Sequence, residues 1–420
     1  MKKVFRRFNM DKAPKRTSWY LRPLTILLSL PAVWKHKSII RKTGMEGIKP
    51  PYVILCNHNS FIDFKVLTSA IFPKRANYVV AIDGFIGRAW LMRQVGCICK
   101  RKFTSDIRLI RQLRKTIEHG DIAVIYPEAR YSLCGTTAVL PESLGKLCRL
   151  LGVPVVSFIC HGHHVTSPFW NTTDRGLSPL EADMTLLYTG EEVKNTDPME
   201  INRKIVKYFQ YDDFAWQRER GIRNTYAKRA EGLHKVLYQC PCCGKEYEMD
   251  SEGTRLFCKA CGASWEMDEL GVLHGEGGFS HVPDWYEWER SNVRKEVEEG
   301  RYDSGVLPVH VDTLPNAVKF RRLGSGTLRH DMDGFHVSGI DVDGDPFGHD
   351  WPVPSLYSCH IEYEYLGKYG DCVDLNTLDD TWYIYPEAGK FSITKMALAT
   401  EELYFAHRRS IGKPCPEGLA

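Results

Sequence analysis

From residue 50 onward, short apolar runs alternate with stretches whose apolar positions recur every three or four residues. Residues 52–56, 78–82, 97–99, 122–126 and 153–159 are short, largely apolar runs, the pattern of buried strands. Between them, residues 60–71, 85–95, 105–119 and 143–151 carry helical spacing. Alternation at this interval predicts an α/β domain over residues 50–236, a mixed sheet flanked by helices. Asp197-Pro198 opens a further helix reaching about Tyr211, since proline suits a first helical position. The polar stretch 212–234 leads out of that domain.

The pattern changes on either side. Residues 1–18 are basic and polar and are expected to be poorly ordered. Over residues 19–40, Tyr20, Leu21, Leu24, Leu27 and Leu28 lay an apolar stripe on one helix, with Trp19 and Trp34 bracketing it and Lys35, Lys37, Arg41 and Lys42 behind. Residues 1–49 therefore read as a basic amphipathic membrane-associating segment, compatible with a helix packed on its own domain. The most apolar stretch, residues 24–34, is interrupted by Pro31 and is too short to cross a bilayer. After residue 273, short β-type runs are punctuated by Gly and Asp at 324–326, 331–334, 341–345 and 367–371, which predicts hairpins. A helix from Ile393 to about His407 closes this mainly-β domain of residues 273–420.

Charge sharpens the picture. The 420 residues carry a net charge of +4, yet residues 1–150 hold 28 Lys and Arg against 9 Asp and Glu, and the remainder is net −15. A basic first half suits an anionic partner such as lipid headgroups or a phosphorylated substrate. Hydrophobic residues at 43% and charged residues at 26% exclude a disordered or collagenous chain. Fourteen cysteines without an export signal suggest a reducing compartment. The expected location is cytoplasmic, peripheral on the cytoplasmic membrane.

The sharpest chemical signal is Asn57-His-Asn-Ser-Phe-Ile-Asp63, which follows a predicted strand directly. Ser60 and Asp63 fit a capping box. Asp63 can turn back to His58, fix its tautomer and leave the other ring nitrogen as a general base; the bland alternative is a helix-start carboxylate beside a loop histidine. Gly96-Cys-Ile-Cys-Lys-Arg101-Lys102 then ends a strand in three cations, Ile125-Tyr-Pro-Glu128-Ala-Arg130-Tyr-Ser ends the next, and Gly152-Val-Pro-Val-Val opens another. This ordered set resembles the four sequence blocks of the glycerolipid (lysophosphatidate-type) acyltransferases over roughly residues 20–210. The resemblance implies that His58 is the base and Asp63 its orienter. It also implies that Arg101, or Lys102 given the shortened spacing from Gly96, holds the acceptor's phosphate together with Glu128 and Arg130. Ala129 stands where the family has glycine, and Arg130 comes one position early.

Two cysteine pairs follow, Cys240-x2-Cys243-Gly and Cys258-x2-Cys261-Gly, separated by 14 residues. That spacing fits a tetrahedral four-cysteine Zn2+ site in a zinc ribbon over residues 237–272, closed and hence structural, with Cys242 outside the ligand set. A second cluster, His161, His163 and His164, reads as a polar channel wall or as packing against Trp170; adjacent histidines on extended chain do not readily face one ion. The C-terminal domain resembles a pleckstrin-homology-like module. Its net charge of about −11 disfavours phosphoinositides and favours a protein partner or docking on the catalytic domain.

Together these features imply an O-acyltransferase of phospholipid biosynthesis or remodelling. It would move an acyl group from acyl-CoA or acyl carrier protein to a lysophospholipid such as 1-acylglycerol-3-phosphate at an anionic membrane surface. The alternatives are a catalytically silent lipid-binding scaffold and a zinc-ribbon nucleic-acid-binding protein. Against nucleic acid, residues 201–270 are nearly neutral, 12 basic to 11 acidic.

Overall fold

A computed structural model describes residues 7–364, 370–387 and 389–413. The chain forms two units: residues 8–100 with 105–223, and residues 224–413 with Arg7 and Arg101–Thr104.

The first unit is built on α1 (Arg22–Lys35), β1 (Ile39–Thr43), β2 (Val53–Cys56), α2 (Phe61–Ile71), β3 (Ala76–Ala81), α3 (Ala89–Gln94), β4 (Ile98–Lys100), α4 (Ile107–Glu118) and β5 (Ile122–Ile125). It continues through α5 (Leu144–Leu151), β6 (Val155–His161), α6 (His163–Thr166), β7 (Glu181–Tyr188), α7 (Gly190–Asn195), α8 (Pro198–Tyr208) and α9 (Asp213–Arg220). The seven strands pair in the order β1-β7-β6-β2-β5-β3-β4. All neighbours are parallel except β6 and β7. Every residue of β2 and β5 is buried, because helices cover both faces of a largely parallel sheet. Val53, Leu55, Ala123 and Val155 on the sheet meet Leu113, Leu144, Ile201, Ile205 and Phe209 on the helices; full burial of each larger side chain stabilises by roughly 1.5–3 kcal/mol.

The loops after β2, β5 and β6 leave the carboxyl ends of three adjacent parallel strands. They converge on one spot for that topological reason alone.

Several expectations for this unit need correction. Of the segment 1–49, residues 8–49 do not stand apart, because β1 is an edge strand of the sheet, with Ile39 N donating to Leu180 O at 2.8 Å. Residues 7–18, expected to be loose, are held by polar contacts: the Arg93 guanidinium donates to the carbonyls of Asn9 and Lys12 at 2.8 and 3.1 Å, and Arg16 pairs with Asp121 at 3.0 Å. Residues 212–234 do not simply lead out, since α9 belongs to this unit. The helix foreseen over 19–40 is shorter, a 3-10 turn at Trp19–Leu21 followed by α1. α1 packs against α2 and turns Leu27, Leu28 and Trp34 to solvent at 62%, 66% and 70% exposure, with Trp19 of the preceding 3-10 turn at 76%. No helix among the described residues is long and apolar enough to cross a membrane.

The second unit begins with an antiparallel sheet of β8 (Met249–Glu252), β9 (Arg255–Cys258), β10 (Ser264–Met267) and β11 (Leu273–Gly275) around the cysteines. α10 (Val282–Glu298) follows, a 17-residue helix that the sequence pattern did not suggest. Then come β12 (Leu307–Thr313), β13 (Arg321–Asp331), β14 (Gly334–Asp341), β15 (Pro346–Pro352), β16 (His360–Glu362), β17 (Cys372–Asn376), β18 (Thr381–Pro386) and α11 (Ile393–Ser410). These seven strands form one antiparallel sheet in the order β15-β14-β13-β12-β18-β17-β16. The turns at 331–334 and 341–345 are where the pattern put them. Residues 324–326 instead lie inside β13, paired on both sides. The hairpin expected at 367–371 falls partly outside the described residues. α10 packs on α11 through ion pairs to buried carboxylates, Arg290 with Glu401 at 2.7 Å and Arg294 with Glu402 at 2.9 Å.

Candidate active site

His58 sits in the loop between β2 and α2, and its neighbours fix that loop from three sides. The Asn57 side-chain amide donates to Cys160 O at 3.0 Å and accepts from Cys160 N at 2.8 Å, tying the loop to β6. His58 N donates to Glu128 Oε1 at 3.2 Å, and Ser132 N donates to His58 O at 2.8 Å, tying it to the loop after β5. Tyr211 Oη donates to Asn59 Oδ1 at 2.7 Å. The imidazole lies between the rings of Tyr126 and Tyr131, with centroids at 4.3 and 4.2 Å, and its side chain remains 23% exposed.

Ser60 caps α2 and Asp63 completes the capping box. Asp63 Oδ2 accepts from Asn59 N at 2.6 Å and Ser60 N at 3.0 Å, and stands 3.4 Å from His58 Nδ1. Its other oxygen lies 2.7 Å from His163 Nδ1, at the first residue of α6. Burial alone would raise the Asp63 pKa, but the hydrogen bonds from His163 and His58 outweigh it and hold the carboxyl down at about 2. An ionised carboxylate only accepts, so His58 Nδ1 carries the proton and Nε2 is left as the acceptor. The site can therefore take a proton from a hydroxyl at the exposed edge of the imidazole.

The four residues assigned to substrate fare differently. Glu128 is fully buried; burial pushes its pKa up to about 8, against the amides of Ala138 and His58 and the charge of Arg130. Its oxygens accept from His58 N and from Ala138 N at 3.1 Å. Glu128 therefore shapes the loop bearing the base, with both oxygens taken by backbone amides. Arg130 is likewise buried, 4% exposed. The largest departure is at Arg101, which is 2% exposed within the second unit. Its guanidinium donates to Thr381 Oγ1 at 2.6 Å, Asp379 O at 2.9 Å and Leu314 O at 3.1 Å. Lys102 Nζ lies 3.2 Å from Asp374, which also pairs with His360 at 2.9 Å. Contrary to the expected phosphate clamp, both cations are thus taken up by the C-terminal sheet and its connecting loops.

Of the second histidine cluster, His161 pairs with Asp183 at 3.2 Å. Burial drives His164 down to about 3, a neutral ring packed against Trp170 and Phe214. Only His163 reaches the site. Its cluster was visible in the sequence, but nothing local shows that β6 lies beside β2.

In the second unit, Gly244 and Gly262 follow the cysteine pairs at φ +71° and +80°, which favour glycine, and their amides donate to Cys240 O and Cys258 O at 2.8 and 2.9 Å. These matching turns aim four thiols inward. The Sγ atoms of Cys240 and Cys261 are 3.7 Å apart, those of Cys243 and Cys258 3.8 Å, and all four fall within 4.8 Å of one another. A tetrahedron of Zn–S bonds near 2.3 Å has edges of about 3.8 Å, so the residues fit zinc, whereas a disulfide needs about 2.05 Å.

Among solved structures, the chain is similar to the 1-acyl-sn-glycerophosphate (LPA) acyltransferase PlsC from Thermotoga maritima, at 16% identity and a TM-score of 0.34. The match covers 45% of this chain and 79% of that one. No curated protein matches the chain. Residues 39–161, which run from β1 through β6 and carry His58, Asp63 and Glu128, match the acyltransferase family model.

Proposed function

We propose that the chain is a glycerolipid O-acyltransferase in which His58 is the general base. One observation carries this reading: an exposed imidazole edge is backed by the buried Asp63 carboxylate at the carboxyl end of β2, inside the segment that matches the acyltransferase model. The acceptor hydroxyl gives its proton to His58 Nε2 as its oxygen attacks the thioester carbonyl carbon. The tetrahedral intermediate collapses with cleavage of the C–S bond, and the imidazolium returns the proton to the departing thiolate. A thioester is already activated, so positioning and proton transfer are sufficient, the latter typically giving 10²–10⁴-fold.

The proposed donor is acyl-CoA or acyl carrier protein, and the proposed acceptor a lysophospholipid such as 1-acylglycerol-3-phosphate. The solvent-facing row Trp19, Leu27, Leu28 and Trp34 supports peripheral docking on an anionic membrane, at its cytoplasmic face. A structural zinc ion held by Cys240, Cys243, Cys258 and Cys261 would crosslink the hairpins of the second unit and take no part in the reaction. The seven-stranded sheet closed by α11 supports a pleckstrin-homology-like module serving protein contact. The test is product formation: purified chain, lysophosphatidate in anionic vesicles, and palmitoyl-CoA or palmitoyl carrier protein, with diacyl product read by mass spectrometry. Donor-dependent product supports the reading, and none with any lysophospholipid or donor refutes it.

A further inference from the structure

The carboxylate of Asp63 has two imidazoles on it, and the closer one is not the base. His163 Nδ1 stands 2.7 Å from Oδ1, against 3.4 Å between His58 Nδ1 and Oδ2. Both Asp63 and His163 are fully buried. The backbone that carries His163 is fixed from behind. Gly162 turns the chain at φ +81°, and the amides of Gly162 and His164, on either side of His163, donate to the buried Asp213 carboxylate at 3.0 and 2.7 Å. A Cβ at position 162 would come within 2.2 Å of the Trp216 ring, so this tight turn is built for glycine.

We propose that His163 is a positioning residue of the proposed reaction, holding one oxygen of Asp63 so that the carboxylate plane presents the other to His58. A helix-start carboxylate needs only its two backbone donors, Asn59 N and Ser60 N, and both bind Oδ2. The contact with Oδ1 adds nothing to that cap, and it fixes the rotation of the carboxylate about its Cβ–Cγ bond. The groups facing His163 decide its charge. On β6, the Cys160 thiol is pushed well above its usual range by burial and is neutral. On α6, His164 is neutral, and on α9 Asp213 is raised to about 6 by burial. After β5, Glu128 is raised to about 8. Burial pulls His163 down; with the Cys160 thiol neutral, the charge that pushes it up is the adjoining Asp63 carboxylate. His163 is then an imidazolium paired with Asp63, and it offsets part of the field that Asp63 exerts on His58. A direct 2.7 Å contact is that of a charge-assisted hydrogen bond.

The inference rests on the proposed function, and its test separates the two. His163→Asn places an amide donor near the position of Nδ1 without the charge, and His163→Leu removes donor and charge together. In the full chain with lysophosphatidate vesicles, His163→Leu is expected to lower kcat at least 10²-fold while both KM values stay within threefold. His163→Asn is expected to recover to within tenfold of wild type. Its uncompensated Asp63 charge favours the protonated imidazole, so the acid limb of kcat/KM moves to higher pH by about half a unit or more. The same move is expected in the nuclear magnetic resonance titration of His58, which needs no turnover and so judges the pairing even if the chain transfers no acyl group. An unmoved His58 titration in folded His163→Asn overturns the proposal. So does a kcat within threefold of wild type in folded His163→Leu; if that variant does not fold, the asparagine variant carries the decision.

Discussion

Replacing Arg101 separates two accounts of the basic strand end. In the phosphate-clamp account Arg101 meets the acceptor, and its loss raises the acceptor KM. In the structure Arg101 ties two chain segments of the second unit together, one at Leu314 and one at Asp379 and Thr381. Arg101→Met keeps much of the side-chain volume and removes every donor. Each charge-assisted hydrogen bond contributes about 1.5–3 kcal/mol, but the variant also escapes the cost of burying the cation, so a simple sum overshoots. Breaking a buried charged contact from one side typically costs about 3–5 kcal/mol. At 1.4 kcal/mol per tenfold, the opening equilibrium of β17 and β18 should rise about 10²–10⁴-fold. Hydrogen exchange with peptide-resolved mass spectrometry reads this directly over residues 372–386. Unchanged protection there, with a tenfold or larger rise in acceptor KM, would refute the structural role assigned to Arg101.

The Asp63–His163 pair should imprint a pH dependence on stability. Asp63 is lowered in the fold, so its share is present above its ordinary value of 3.8 and lost as pH falls through about 2; His163 is raised by that carboxylate, so its share is present below 6.5 and lost as pH rises through its raised value. The stability deficit of Asp63→Asn by urea unfolding should therefore be largest between about pH 4 and 6.5 and shrink at both extremes. A deficit that does not vary with pH would contradict the pairing. Freshly purified chain should hold about one zinc by elemental analysis; Cys258→Ser should lose it and Cys242→Ser should keep it. Replacing Trp19, Leu27, Leu28 and Trp34 together by serine should weaken binding to anionic vesicles at least tenfold in sedimentation, since each buried apolar side chain contributes roughly 1.5–3 kcal/mol. Raised salt should weaken the wild type as well.

The elements legible in the sequence are those whose signal is local. The runs that became β2, β5 and β6 are buried on both faces and so largely apolar, and the capping box at Ser60 and Asp63 marked the start of α2 to within one residue. β1 was hidden because an exposed edge strand, Ile-Ile-Arg-Lys-Thr, shows only two apolar positions. α10 was hidden because buried Glu289 and Arg290 interrupt its apolar stripe, a polar pair that only its surroundings explain. Arg101 was misassigned because its carbonyl partner at Leu314 lies 213 residues away, and a cation at a strand end looks the same whether it meets phosphate or protein. His163 lies 100 residues from Asp63, brought there only by the pairing of β6 with β2.

The central claim is that the imidazole of His58 takes the acceptor's proton, and His58→Ala tests it most directly. The variant should keep the wild-type circular dichroism spectrum and vesicle binding, because the loop is held by the backbone of His58, the Asn57 side chain and Glu128 and not by the imidazole. Its single-turnover rate of acyl transfer from palmitoyl-CoA to lysophosphatidate should fall at least 10²-fold at saturating substrates. A rate within threefold of wild type in the folded variant would contradict the mechanism.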